Sequence, residues 1–154
     1  GAGLLYGGYD DTVGYFVYPT VIKCKTPMYS TMVNEIFGPV LSVYVYDSAA
    51  DISEIIRLVD ESTQYALTGS IFCSDRNMLA RLERELRYAC GNLYLNDKST
   101  GSMAGYIPFS GARASGTNDK PGSKVNMLKW LSPRTIKDTI VYPENWDYDC
   151  MMEE

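Results

Sequence analysis

The sequence predicts an α/β domain with a mostly parallel sheet and crossover helices. Three observations carry that expectation. Apolar, strand-like runs at 40–46, 68–73 and 92–95 alternate with helix-patterned segments at 47–61 and 75–90. The links between them are short, and a β-α-β-α-β order with short links packs as parallel strands crossed by helices. The last run opens into a polar loop that continues to Gly116, GNLYLNDKSTGSMAGYIPFSGARASG from Gly91 onward. Loops of this length inside a domain are functional or disordered, and a strand feeding a polar loop is how α/β proteins form a ligand crevice.

Taken in order, Gly7-Gly8 and Asp10-Asp11 are turn chemistry. The β-rich run GYFVYPTVI at 14–22 contains Pro19, which cannot donate to a ladder, so it predicts an edge strand or two short extended pieces. Thr26 as N-cap and Pro27 at the first helical position predict a helical turn over 27–33. Gly38-Pro39 breaks the chain before 40–46, whose nearly continuous apolar and aromatic run suits a strand covered on both faces. Ile52, Ile55, Ile56 and Val59 form a helical stripe that Ser48 or Asp51 can cap. Ser74 is placed to cap the next helix, with Met78, Leu79, Leu82 and Leu86 on one face and Gly91 as its C′ residue. Its Arg81–Glu85 and Glu83–Arg87 spacings predict surface pairs worth about 0.2–0.5 kcal/mol each.

Beyond the long loop, 119–122 is a turn and 125–131 a short helix, with Val125, Leu128 and Trp130 as the candidates for burial. Pro133 ends it and marks the only candidate boundary, dividing 1–132 from 133–154. Residues 134–141, RTIKDTIV, alternate weakly and are β-branched, without a partner strand in the chain. Such a strand invites pairing with a second chain. The tail, 143–154, is expected to be poorly ordered or docked on a neighbour.

The 154 residues allow one domain with an ordinary soluble composition, 45% apolar and 21% charged. A net charge of −5 and the lack of any basic run disfavour nucleic acid. No apolar run is long enough to span a membrane. The opening GAGLLYGGYDD has no charged leader segment and reads like the interior of a longer protein. Four cysteines, at 24, 73, 90 and 150, have no CxxC spacing, and the chain has no His. A zinc site is therefore discounted, and a Ser-His or Cys-His nucleophile is impossible within these residues. No GxGxxG or GxxxxGK[ST] phosphate loop occurs. Glu35 and Phe37 stand two apart, which in an extended stretch aims both the same way. A carboxylate and a ring so presented would grip a ligand, or they are a surface acid beside a core ring.

Two motifs break this indeterminacy. Glu35-Ile36-Phe37-Gly38-Pro39 resembles the E-x-F-G-P motif of the aldehyde dehydrogenase superfamily. Pro108-Phe109-Ser110-Gly111-Ala112-Arg113-Ala114-Ser115-Gly116 resembles its P-F-G-G-x-K/R-x-S-G motif, in the same order and at similar separation. NDKSTGS at 96–102 and GARASGTNDKPG at 111–122 are more narrowly similar to the branch acting on glutamate γ-semialdehyde. The likeness runs over essentially the whole chain.

The resemblance implies the carboxyl-terminal third of an NAD-dependent enzyme, part of its catalytic domain plus a C-terminal oligomerisation strand at 134–141. It implies that the nucleophilic Cys and the general-base Glu lie outside these residues, so that the chain alone is inactive. It gives Glu35 the nicotinamide ribose hydroxyls and Phe37 the edge of the nicotinamide. The Thr100-Gly101-Ser102 loop would hold the substrate's amino-acid head, and Phe109 its aliphatic chain. Ser102 is otherwise a plain loop residue and Phe109 plain core; Arg113 reads as a loop-pinning cation. Asn34, where the superfamily favours an acid, and Ser110, where it has a second Gly, are departures that bear on substrate geometry. A homo-oligomer and the mitochondrial matrix are further implications. The alternatives are a catalytically silent oligomerisation module or an aldehyde dehydrogenase of other specificity.

Overall fold

The chain begins with β1 (Ala2–Tyr6), followed by a small hairpin of β2 (Tyr9–Asp10) and β3 (Phe16–Val17), and then by β4 (Thr20–Cys24). This is a computed structural model describing residues 1–99, 101–103 and 105–151. Pro19 splits the 14–22 run into two pieces, as its missing N–H requires. β1 pairs antiparallel with β4, with a register slip between Leu4 and Tyr6. The sequence analysis did not foresee β1, because a Gly-flanked five-residue run without alternation carries no strand signature.

Thr26 accepts the Met28 N–H at 3.2 Å and closes a turn, but the helix proper, α1 (Ser30–Val33), starts later and has no side-chain cap. β5 (Val40–Tyr44) pairs parallel with β4, from Thr20↔Val40 to Cys24↔Tyr44. It forms the edge of the β1-β4-β5 sheet and leaves Leu41 exposed, so the expected two-sided cover is not present among the described residues. Between the two strands Thr31 and Ser42 share a 2.6 Å hydroxyl bond that fixes α1 onto the sheet.

α2 (Ile52–Glu61) is capped by Asp51, whose Oδ1 accepts the Ser53 N–H at 2.9 Å, and it buries Ile56. Two short strands follow, β6 (Tyr65–Ala66) and β7 (Thr68–Ile71). α3 (Arg76–Glu85) is capped by Asp75 rather than Ser74, since Asp75 Oδ1 accepts two N–H groups, of Asn77 at 2.8 Å and Met78 at 3.2 Å. The Arg81–Glu85 pair forms at 2.8 Å. The Glu83–Arg87 pair is a correction: the helix ends before Arg87, whose guanidinium lies 5.0 Å from the Tyr88 ring centre instead. Gly91 is consequently not the C′ residue, because Leu86 already caps the helix.

β8 (Asn92–Leu95) runs parallel to β7, Thr68↔Asn92 to Ile71↔Leu95, and β9 (Ala112–Arg113) pairs antiparallel with β6. The strands thus form separate ladders among the described residues, two parallel and three antiparallel, rather than one mostly parallel sheet. α4 (Lys124–Leu128) is capped by Ser123 and buries none of its residues; Val125, Leu128 and Trp130 are exposed, contrary to expectation. No strand forms at 134–141, where Ile140 is 100% exposed. The tail holds one 3₁₀ turn, Asp149–Met151.

The buried hydrophobic core consists of Cys24, Ile56, Ala66, Leu79 and Leu86. Chains of this size usually bury well over half of their extended surface, so a core this thin leaves helix caps as a sizeable share of local stability. Replacing Asp75 by Ala strips two donors of their acceptor and is expected to cost about 1–2 kcal/mol, more than Asp51→Ala, which strips one. Urea unfolding midpoints of the two variants check the order.

Candidate ligand-binding site

Asn96 ends β8 in a left-handed conformation, φ 54°, one that Asn tolerates better than most residues. Its side chain then imitates a strand residue. Oδ1 accepts the Cys73 N–H at 2.8 Å and Nδ2 donates to the Cys73 carbonyl at 3.0 Å, carrying the β7–β8 ladder one step further. The loop leaves from this point. Ser70 Oγ donates to the Asp97 carbonyl at 2.8 Å, and the Tyr94 hydroxyl donates to the Gly101 carbonyl. Gly101 has φ 144°, a conformation that favours Gly, and nothing within 4 Å of a Cβ placed there. Thr100 lies outside the described residues.

After Ser102 the loop folds back on itself. Met103 and Ile107 form an antiparallel bridge, with N–H···O distances of 3.0 and 2.7 Å. Gly101 and Ser102 lie on one arm of that bridge and Phe109 on the other, so the three substrate-site residues share one small hairpin. Gly101 and Ser102 are exposed and Phe109 is half-buried. The second arm is fixed by Asn92, whose Nδ2 donates to the Pro108 carbonyl at 3.0 Å and whose Oδ1 accepts the Ser110 N–H at 3.3 Å. Ser110 therefore keeps the turn anchored through its backbone.

Asn34 ends α1 in an extended conformation, and its N–H still donates to the Ser30 carbonyl. Glu35 follows, exposed, with no hydrogen bond or ion pair among the described residues. Phe37 has φ 56° and is 93% exposed. The simple two-residue alternation expected of an extended stretch does not apply through such a residue. A bulky side chain in the left-handed region costs about 1–3 kcal/mol and usually marks a site where strain is put to use. An unpaired carboxylate and a bare aromatic face suit a ligand with vicinal hydroxyls and a flat ring.

Residues 63–66 tie the two loops to one place. Thr63 Oγ1 donates to the Val33 carbonyl at 3.0 Å, two residues before Glu35. Tyr65 and Ala66 pair with Arg113 and Ala112, shortly after Phe109. The Ala66 N–H donates to Ser115 Oγ at 3.0 Å, and its carbonyl accepts the Gly91 N–H at 2.8 Å. Arg113 donates from Nη1 to the Asp60 carbonyl at 2.6 Å and from Nη2 to the Asp60 carboxylate, pinning the loop to the end of α2. A cavity of about 330 Å³ borders this hub, lined in part by Thr63, Tyr65, Leu86 and Cys90. None of Glu35, Phe37, Gly101, Ser102 or Phe109 lines it.

Cys90 is no nucleophile in waiting, because burial pushes its thiol up, against the opposing charges of Lys120 and Arg113. Lys120 is pushed down by burial, while its ammonium donates to the Gly91 carbonyl at 2.6 Å and to Asn92 Oδ1 at 2.9 Å. No group of three or more His, Cys, Asp or Glu among the described residues could hold a metal ion.

Residues 1–136 match the sequence profile of the Aldehyde dehydrogenase family. The chain belongs to the aldehyde dehydrogenase family. It is 51% identical over 149 residues to the mitochondrial delta-1-pyrroline-5-carboxylate dehydrogenase of Bos taurus, covering 96% of this chain and 26% of that protein. The Dictyostelium discoideum mitochondrial delta-1-pyrroline-5-carboxylate dehydrogenase is 47% identical over 153 residues, covering 99% and 27%. The crystal structure of the delta-pyrroline-5-carboxylate dehydrogenase of Mycobacterium tuberculosis bound with NAD superposes with a TM-score of 0.73 at 43% identity. That superposition covers 98% of this chain and 27% of the other. The chain thus spans about a quarter of the length of the relatives it matches.

Within this aldehyde dehydrogenase chain, the residues that sequence reasoning missed are those that hold the loops: Thr63, Asn92, Tyr94, Asn96 and Lys120. Their only sequence signal is position, namely an amide at each end of β8 and a Lys inside a turn. Gly91 and Gly111 matter for space. A Cβ on Gly91 would lie 2.0 Å from the Ser110 carbonyl oxygen, and one on Gly111 2.5 Å from Ser115 Cβ. Gly91→Ala is expected to destabilise by about 2 kcal/mol or more, since backbone must move. Gly3→Ala, which meets nothing within 4 Å, is the control and should be near neutral. Thermal unfolding of both variants tests the contrast.

Proposed function

We propose that the chain is the carboxyl-terminal part of an NAD-dependent enzyme that oxidises L-glutamate γ-semialdehyde, the open form of 1-pyrroline-5-carboxylate, to L-glutamate in proline catabolism. The observation that carries this assignment is the anchoring of both motif loops on residues 63–66, in a chain 51% identical to a delta-1-pyrroline-5-carboxylate dehydrogenase. Aldehyde, NAD⁺ and water become carboxylate, NADH and two protons. The nicotinamide, when bound, takes the hydride.

What these residues contribute is binding and orientation. Glu35 accepts hydrogen bonds from two ribose hydroxyls, and its exposed, unpaired carboxylate fits that task. Phe37 offers its exposed ring to the flat nicotinamide. The backbone at Gly101 and the hydroxyl of Ser102 receive the substrate's α-carboxylate, where the absence of a Cβ allows close approach. Phe109, across the Met103–Ile107 bridge, packs on the aliphatic chain. Holding the remote end aims the aldehyde at a nucleophile and lowers the entropic cost of attack.

The nucleophilic Cys and the general base belong to the part of the enzyme outside these residues, and the chain by itself is inactive. Residues 1–132 complete a catalytic domain whose remaining strands join the two parallel ladders into one mostly parallel sheet. The exposed flank of β5 and the thin core support that role. Residues 133–154 carry the oligomerisation strand, 134–141, which gains a partner in a second copy of the protein. The mitochondrial matrix is the expected location, because relatives at 47–51% identity carry "mitochondrial" in their names.

Expressed from its complete coding sequence, the enzyme should reduce NAD⁺ with glutamate γ-semialdehyde at a kcat/KM well above that for propanal. Equal values for the two aldehydes would remove the head-group anchor and favour an aldehyde dehydrogenase of other specificity. Ser102→Ala should raise KM for the semialdehyde about fivefold to tenfold, the loss of one hydrogen bond to a charged group, and leave propanal unchanged. Glu35→Gln should raise KM for NAD⁺ roughly tenfold without altering the preference between aldehydes. Initial-rate kinetics with each substrate varied read both effects.

A further inference from the structure

Phe109 sits between two peptide groups, and one side chain bonds both of them. The Asn92 amide donates to the Pro108 carbonyl and accepts the Ser110 N–H. Those are the outer polar atoms of the peptide units on either side of Phe109, so the amide fixes the backbone that aims the ring. Only an amide supplies a donor and an acceptor at once on so short a side chain. Lys120 holds that amide in orientation: its ammonium donates to Asn92 Oδ1 at 2.9 Å and to the Gly91 carbonyl at 2.6 Å, so the oxygen end must face Lys120 and the nitrogen end Pro108. Lys120 is in turn fixed by its own turn, with φ 54° and with its carbonyl accepting Ser123 Oγ at 2.7 Å. The same turn ties back to the substrate hairpin, where the Gly105 N–H donates to the Gly122 carbonyl at 2.7 Å. The absent side chain of Gly91 lets the Ser110 carbonyl approach closely enough for the bracket to close.

We propose that Asn92, oriented by Lys120, is the positioning residue that aims Phe109 at the substrate and thereby sets the preference for a long amino-acid aldehyde over a short plain one. This rests on the assignment of Phe109 to the substrate's aliphatic chain. Asn92→Asp is the discriminating variant. It keeps the size, the Ser110 bond and the Lys120 contact, but turns the donor facing the Pro108 carbonyl into a repelling acceptor.

In the complete enzyme, Asn92→Asp is expected to lower kcat/KM for glutamate γ-semialdehyde about tenfold, as sub-ångström misplacement of a binding group does, and to change that for propanal less than about twofold. KM for NAD⁺ should stay as it is. Lys120→Met should shift discrimination in the same direction. In a Phe109→Ala background the Asn92→Asp change should add nothing further, because its route of action is gone. An undiminished effect in that background, or an equal loss for both aldehydes, overturns the proposal. So does unchanged discrimination in Asn92→Asp when Phe109→Ala alone abolishes it, and that outcome leaves the assignment of Phe109 standing. A Phe109→Ala enzyme with intact discrimination removes the assignment itself, and the positioning role with it.

Discussion

The structure turns on a close approach of backbone to backbone around Ala66. This residue is 2% exposed, and both of its peptide groups are committed, the N–H to Ser115 and the carbonyl to Gly91. Around it Gly91 meets the Ser110 carbonyl and Gly111 meets Ser115 at distances no side chain would allow. Three segments far apart in sequence, near 66, 91 and 112, therefore meet with nothing but main chain and small side chains between them. Burying so many peptide groups is tolerable only when each has a partner, and here they have them. The two loops that carry the candidate binding residues are both hung from this knot.

Polar side chains do the work that a larger core would otherwise do. Asn96 extends a strand ladder, Asn92 imitates a strand partner for the loop beyond it, and Thr63 reaches the carbonyl of Val33. These bonds are directional where apolar packing is not, so they fix where a loop goes as well as that it stays put. Binding groups on such loops hold their geometry without being buried. Glu35 and Ser102 remain accessible while the residues a short way along the chain are locked. The apolar surface left by β5, α4 and 134–141 is the complement of this arrangement, a set of faces suited to packing against further protein.

Much of the architecture was legible in the residues. The stripe of Ile52, Ile55 and Ile56 declared α2, Pro19 declared a break, and the apolar runs at 40, 68 and 92 became β5, β7 and β8. Where the reading slipped, a local preference met a tertiary competitor. Ser74 lost the cap to Asp75, whose carboxylate takes two N–H groups at once. Gly91 resembled a helix terminator, yet its missing side chain serves the Ser110 contact. Val125 and Leu128 have the spacing of a buried face, but no described element packs on them. The motif residues were found by likeness. The side chains that hold those motifs in place, Asn92 and Lys120 above all, gave no warning, since an Asn before an apolar run and a Lys in a turn are ordinary residues.

By itself the sequence determined the α/β class, the order of its central strands and helices, the family, and the residue types offered to a ligand. These follow from periodicity, from breakers and from contiguous motifs, all of which are local along the chain. Only the tertiary structure decided which ladders form and that the Glu35 and Phe109 loops share an anchor. It also decided that Phe37 adopts a left-handed backbone and that one amide brackets Phe109. Those depend on contacts between residues 16 to 53 positions apart, and a hydrogen bond across such a distance leaves no period in the sequence.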